Sequence, residues 1–439
     1  MIAQRLSFVT PEVAFAAFAD QPQIMFLDSA SSHDPRAKIS YLGLAPHATL
    51  TLTPGTDPYA SLRGWLNGFE APVRPANWPF AFAGGAVGWV GYDLARTEAG
   101  IHSRFEPFPG LPGGWFGLYT SLLGFDLAKR ELVYLGPESA LADIAARLTS
   151  ASAASSSPEL QPIPPLHWQA ELDRNEYARR HEALRAYIAA GDVYQANLTL
   201  RFTAPRPADL KVAALHQHLR RLSPAPFGAY LDTGTCGLAC ASPERFLRVY
   251  PGGEVETRPI KGTVRRQAIA ALDAQAAEAL RVNPKERAEN LMITDLLRND
   301  LGKLCEIGSV AVPELWNVES YAQAHHLVSA VTGRLRPGVD IFELLAATLP
   351  GGSITGAPKY RAMQIIDELE AGPRGAYCGM LAWMGFDGAM DSAIIIRTLT
   401  ATQDRLYAQA GGGITWDSAW EAEYDEALVK ISPLLALGQ

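Results

Sequence analysis

Residues 379–413 read GMLAWMGFDGAMDSAIIIRTLTATQDRLYAQAGGG. Apolar and β-branched runs broken by turn residues predict three strands in succession, Gly379 to Phe386, Ala393 to Leu399 and Leu406 to Ala410, followed by the run Gly411-Gly412-Gly413. Upstream, strands are predicted at Phe227 to Leu231 and Phe246 to Tyr250. Short strands and turns are predicted at Tyr41 to Gly43, Ala48 to Leu52, Trp115 to Phe125 and Glu131 to Leu135. Helical periodicity runs from Arg174 to Ala190, ending at Gly191, and again over Pro284 to Arg298 and Pro358 to Leu369. A last helix is expected over Ser418 to Leu435, its end disturbed by Pro433. Helices and strands interleave without a strict βαβ rhythm or a fixed repeat, which points to an α+β fold with a large antiparallel component.

One composition shift divides the chain. Around Thr149 to Pro165 the sequence is rich in Ser, Ala and Pro and carries one charge, Glu159. This reads as a surface linker over residues 149–166, between an N-terminal region, residues 1–148, and a second region, residues 167–439. Across the 439 residues, 48% are hydrophobic and 19% charged, which excludes global disorder. Lys plus Arg number 38 against 46 Asp plus Glu, a net charge of -8 with no basic run, so nucleic acid is not an expected partner. Four cysteines, Cys236, Cys240, Cys305 and Cys378, are too few for a disulfide framework and suit a reducing cytoplasm. No membrane span is expected: the uncharged stretch from Pro79 to Tyr92 is interrupted by Gly and Pro and suits buried strand and turn. Nor is a signal peptide, because Pro11 and Glu12 break the N-terminal apolar stretch.

Two helices carry one pattern. Glu286 and Glu289 are three apart, as are Glu423 and Glu426, which puts each pair on one helical face. Such carboxylates are hard ligands suited to magnesium, or else a solvated acidic face. The stretch Pro350 to Lys359, PGGSITGAPK, leads into a helix whose N–H groups attract anions, but Ala357 and Pro358 replace the Gly-Lys-Ser of a nucleotide loop. Gly411 to Gly413 would let a ligand carboxylate approach the backbone, or form a plain turn. Lys261, between Pro259 and Gly262, is a nucleophile if a cleft desolvates it and otherwise a surface lysine. Glu244 is a proton donor or the partner of Arg245. His325 and His326 point different ways, so one functional histidine is expected rather than two metal ligands. No cysteine has the flanking glycines of a nucleophile elbow.

Taken together, Pro259 to Thr263, Arg287 to Ile293 with Leu297 to Asp300, Pro350 to Lys359, and Gly411 to Gly413 resemble the chorismate-utilising enzymes, in the right order over about Glu171 to Lys430. The resemblance is strongest to the branch that makes 4-amino-4-deoxychorismate on the way to p-aminobenzoate and folate. It implies two large facing antiparallel β-sheets in a sandwich-like core flanked by helices, with chorismate in the cleft. It also implies Mg2+ held directly by Glu289 and Glu426, while Glu286 and Glu423 hold metal-bound water. Ser353, Tyr377, Arg397, Lys430 and the backbone of Gly411 and Gly413 match substrate-binding positions, His326 a histidine near the ring, and Glu244 the general acid/base. A glutaminase partner subunit is implied as the source of ammonia.

Lys261 separates the branches. Anthranilate synthases have alanine there, whereas in the aminodeoxychorismate branch the lysine is thought to attack carbon 2 of chorismate. Isochorismate and salicylate synthases carry a water-activating lysine where this chain has Gln195, which cannot deprotonate water. The alternative reading is an anthranilate synthase component I. A non-catalytic tryptophan-binding relative would need a damaged site, yet the four glutamates, Lys261 and Arg397 are intact. Phe26-Leu27-Asp28-Ser29 resembles only loosely the tryptophan-binding stretch of feedback-regulated relatives, and Trp383 stands where relatives often have tyrosine.

Overall fold

Two antiparallel sheets, one of 12 strands and one of 10, lie face to face between two layers of helices. The structure is a computed structural model that describes residues 1–30, 38–154, 159–320 and 324–439. Side chains alternate across each strand, and here both faces are covered. In the strand Gly85–Val90, Val87 and Trp89 point between the sheets, where they meet Leu231, Leu238 and Trp383. Ala86 and Val90 point outward, into a cluster with Leu62, Ile293, Leu297 and Leu345 of three covering helices, Pro58–Asn67, Pro284–Gly302 and Ile341–Thr348. The 12-stranded sheet is covered on its outer face by Pro11–Phe18, Leu141–Ala154, Val212–Leu222 and Trp420–Leu435. Burial on both faces is why strands such as Met380–Gly385 read as unbroken apolar runs.

Strands from residues 1–148 and from residues 167–439 sit in both sheets. Met25–Asp28 pairs with Phe227–Asp232 in the larger one, and Gly85–Val90 with Met380–Gly385 in the smaller. The Ser/Ala/Pro-rich segment begins inside the Leu141–Ala154 helix, since alanine favours helix and Ile144 and Leu148 anchor it; residues 155–158 lie outside the described residues. Beyond them Leu166 is buried and donates its N–H to Gly438 O at 3.1 Å.

The helix predicted over Arg174 to Ala190 has those limits, capped by Asp173 and ended by Gly191 at φ 81°. Other expectations need correction. The strand expected over Ala393 to Leu399 is two: Met390–Ile394 in the smaller sheet and Thr398–Ala401 in the larger. Between them the chain crosses the sandwich, and Arg397 takes φ 50° at the crossing. The run Trp115 to Phe125 likewise divides into Gly114–Tyr119 and Leu122–Asp126, in different sheets. Gly411 to Gly413 are no turn but lie within the strand Arg405–Ile414. Pro433 does not end its helix, which runs to Leu435. The missing N–H is replaced locally, because Ser432 Oγ donates to Val429 O at 2.9 Å.

Candidate active site

The four glutamates come from two helices, Pro284–Gly302 and Trp420–Leu435, that meet beside one end of the sandwich. Asn283 caps the first helix, its Oδ1 accepting from the backbone N–H of Lys285 at 3.0 Å and of Glu286 at 3.2 Å. One turn on, Glu289 is buried, and Lys285 Nζ lies 3.8 Å from its Oε1 and 3.7 Å from Glu423 Oε1 on the second helix. Glu423 is buried too, and Ser418 Oγ donates to it at 2.7 Å. Glu426 pairs with Lys430 at 2.7 Å, and the same ammonium donates to Gly411 O at 3.0 Å.

Burial holds the Glu286 and Glu289 carboxyls above the usual range, against the pull of Lys285 and Lys261; the charges of Glu426 and Glu423 add to the rise at Glu286, and those of Glu286 and Glu423 to the rise at Glu289. Burial acts most strongly on Glu426, to raise it, but Lys430 beside it together with Lys261 and Lys285 outweighs this and brings it below its ordinary value. Among the described residues, no three acidic, histidine or cysteine side chains form a ready-made metal shell. The carboxylates are instead interleaved with lysines.

Lys261 projects into this cluster from the strand Ile260–Arg265, where Gly262 at φ 84° bends the backbone against Glu286. Its Nζ is so close to the glycine strand that a Cβ on Gly413 would stand 2.9 Å from it and 1.9 Å from Gln195 Nε2. A Cβ on Gly411 would come 2.2 Å from Leu198 O across the ladder. Glycine here lets two strands and a lysine converge, and Lys261 is half-buried there rather than exposed.

Glu244 faces the same space. Burial pushes its carboxyl up to about 7, opposed by a hydrogen bond from Ser353 and by the Lys261 ammonium. It is not the partner of Arg245, whose guanidinium turns the other way onto Asp391 at 2.9 Å. Ser353 lies in the one-turn helix Gly352–Ile354 of the glycine-rich loop, whose carbonyl accepts from Asn197 Nδ2 at 3.3 Å. The long helix after it starts only at Lys359, which is half-buried against Asp300 and Thr348 O, so the loop and not a helix end lines the site. Beneath the loop, Arg374 and Glu370 form a buried pair at 2.7 Å, and Arg374 also donates to Ile354 O at 2.8 Å.

The crossing segment supplies the remaining groups. Ile394 N–H donates to Glu244 O at 3.2 Å, Ala241 N–H to Arg397 O at 3.1 Å, and Cys378 N–H to Ile395 O at 2.8 Å. Tyr377, next to Cys378, is buried, and burial raises its hydroxyl well above its ordinary value. Arg397 is enclosed without a carboxylate partner among the described residues, and burial alone lowers its guanidinium. His326 is buried with Nδ1 2.8 Å from Thr263 Oγ1, whereas His325 on the opposite side of the strand bridges Ser320 at 2.8 Å and Asp273 at 3.0 Å.

Sequence reasoning missed Lys285, Thr263, Asn197 and the Glu370–Arg374 pair. The first and last carried a signal, since Lys285 precedes Glu289 by four residues and Glu370 precedes Arg374 by four. Away from the site, Asp28 pairs with Arg220 at 2.7 Å and Ser29 Oγ donates to Ile39 O at 2.7 Å. Trp383 packs between the sheets against Phe82, with ring centroids 5.1 Å apart. The four cysteines are free and buried, and no helix of the described residues is long and apolar enough to cross a membrane.

The family described as chorismate binding enzyme matches residues 23–436. Aminodeoxychorismate synthase component 1 of Klebsiella aerogenes is 39% identical, over 97% of this chain and 95% of its own. That of Salmonella typhimurium is 41% identical, over 94% and 88%. The crystal structure of anthranilate synthase component I from Streptococcus pneumoniae superposes with a TM-score of 0.78 at 30% identity, covering 92% of each chain.

Proposed function

We propose, on the premise that this chain belongs to the chorismate-binding enzyme family, that it makes 4-amino-4-deoxychorismate from chorismate and ammonia. This would serve p-aminobenzoate and folate synthesis in the cytoplasm. One observation carries the reading: the Lys261 amine stands beside Gly413, within the electrostatic reach of Glu244 and the glutamate cluster. The Lys261 nitrogen adds to carbon 2 of chorismate as the carbon 4 hydroxyl leaves as water with a proton from Glu244. Ammonia then adds to carbon 4, and the bond from carbon 2 to Lys261 breaks. Arg397, which meets no carboxylate among the described residues, is suited to a substrate carboxylate, and Tyr377, Ser353, Lys430 and the backbone of Gly411 and Gly413 to the other substrate groups. His326, held by Thr263, is suited to the ring.

The glutamates fit a hard divalent cation. All four donors are carboxylates, burial raises two of them, and Lys285 meets Glu289 and Glu423 only beyond hydrogen-bonding distance. Glu289 and Glu426 would hold Mg2+, with Glu286 and Glu423 holding its water, and the ion would supply positive charge for one substrate carboxylate. Ammonia would come from a glutaminase subunit, in keeping with the component 1 naming of the relatives.

The likeness to anthranilate synthase supports a second reading, ortho-amination of chorismate. The purified chain incubated with chorismate, magnesium and an ammonium salt decides between them. The para-amino product, identified by mass and retention, is expected; anthranilate would establish the second reading, and absence of any aminated product would overturn both.

A further inference from the structure

Of the three lysines at the glutamate cluster, Lys285 has no tight bond to hold it. Lys430 is committed to Glu426 at 2.7 Å and to Gly411 O at 3.0 Å. Lys261 is confined by Gly413 and Glu286. Lys285 Nζ instead stands 3.8 Å from Glu289 and 3.7 Å from Glu423, and its side chain is 45% exposed. Among the described residues it makes no hydrogen bond at these distances, so the attraction is that of charge across a gap. Its backbone is fixed by the Asn283 cap, while its stem is free to swing toward water. The two carboxylates it bridges are buried and belong to different helices.

We propose that Lys285 is a resident counter-ion that holds Glu289 and Glu423 together before a divalent cation enters, and that it yields its place when the cation arrives. The inference rests on the metal reading above. An ammonium and a divalent cation repel strongly at this range, so the cation must displace Lys285 or bind against its charge. Removing that charge makes cation binding tighter, at the expense of the cation-free arrangement. Lys285 is thus a positioning residue, acting on the carboxylates and not on the reacting atoms.

The test is titration of the full chain with Mn2+ alone, following the free ion by electron paramagnetic resonance. Lys285→Met should bind Mn2+ about tenfold more tightly than the unaltered chain, and Lys285→Arg, which keeps the charge, should not. Unchanged or weaker binding by Lys285→Met, or equal tightening in Lys285→Arg, would overturn the role of Lys285 and leave the metal reading standing. Saturable binding by Lys285→Met alone would support it in the strongest form. Absence of saturable binding in all three chains would overturn the metal reading, and the inference with it.

Discussion

Ser353 donates a hydrogen bond to the carboxylate of Glu244, so a hydroxyl from the glycine-rich loop touches an acid whose titration burial carries up to about 7. The bond favours the ionised form and burial the neutral one, and burial prevails. A carboxyl poised near neutrality is suited to giving up and regaining a proton at the carbon 4 oxygen.

Glu244→Gln should therefore lower kcat/KM by roughly 10² to 10⁴. Because the proton donor is the neutral form, kcat/KM of the unaltered chain, measured at fixed free ammonia, should fall as pH rises through about 7, and the variant should lack that limb. The same titration acts on folding. A carboxyl raised from 4.5 to about 7 contributes stability that is complete below about pH 4.5 and lost as pH rises through about 7. Denaturant unfolding of the metal-free chain between pH 5 and 8 should show that loss, and the glutamine variant should show less of it.

Lys261→Ala should abolish para-amination while still binding chorismate. Slow ortho-amination is expected instead, since alanine leaves carbon 2 open to ammonia. Lys261→Arg should not rescue, because a guanidinium stays protonated. Incubation with chorismate but no ammonia should add the mass of the substrate less water to the Lys261 peptide. Undiminished para product from Lys261→Ala would eliminate the covalent route.

Gly413→Ala tests the crowding at the same lysine. The new methyl would stand 1.9 Å from Gln195 Nε2 and 2.9 Å from Lys261 Nζ, closer than carbon and nitrogen can approach. Displacement of Lys261 should cost about 10²-fold in turnover, while far-ultraviolet circular dichroism stays that of the parent. Normal turnover would mean that the strand can move aside.

Chelation should remove turnover, as should Glu289→Ala or Glu426→Ala. Four carboxylates facing a dianionic substrate repel it unless a cation intervenes. Full activity in excess chelator would refute the metal assignment.

Free ammonia should sustain the pure chain, best at high pH where more of it is unprotonated. Glutamine should do so only when a glutaminase subunit is added. Product from glutamine and the rigorously pure chain would place a glutaminase within these 439 residues.

Local rules made the helices legible. Asp173 and Gly191 bracket Arg174–Ala190 in sequence as they do in space. The sandwich was less legible, because strands buried on both faces lose the alternation that assigns a residue to one side. Thus Met390–Ile394 and Thr398–Ala401 looked like one strand although they belong to different sheets. The glutamate pairs were visible as spacings, but the meeting of helices more than a hundred residues apart was not. Nor was Lys285 as a bridge between them, since Glu423 lies on the other helix. Gly413 was read as an opening for a ligand carboxylate or as part of a turn, whereas the ladder with Asn197 puts it in a strand where Lys261 and Gln195 take up the room.

The chain's passage between the sheets at Ile395 to Arg397 makes one short segment answerable to two structural masters. Arg397 is clamped there by Ala241 on one side of its own backbone, and two residues back Ile395 is clamped by Cys378 and Gly379. A ligand anion that met its guanidinium, as proposed, would pull on the stitch that joins the two sheets. Occupancy of the cleft should thus be felt far from it, as slower hydrogen exchange in both sheets at once.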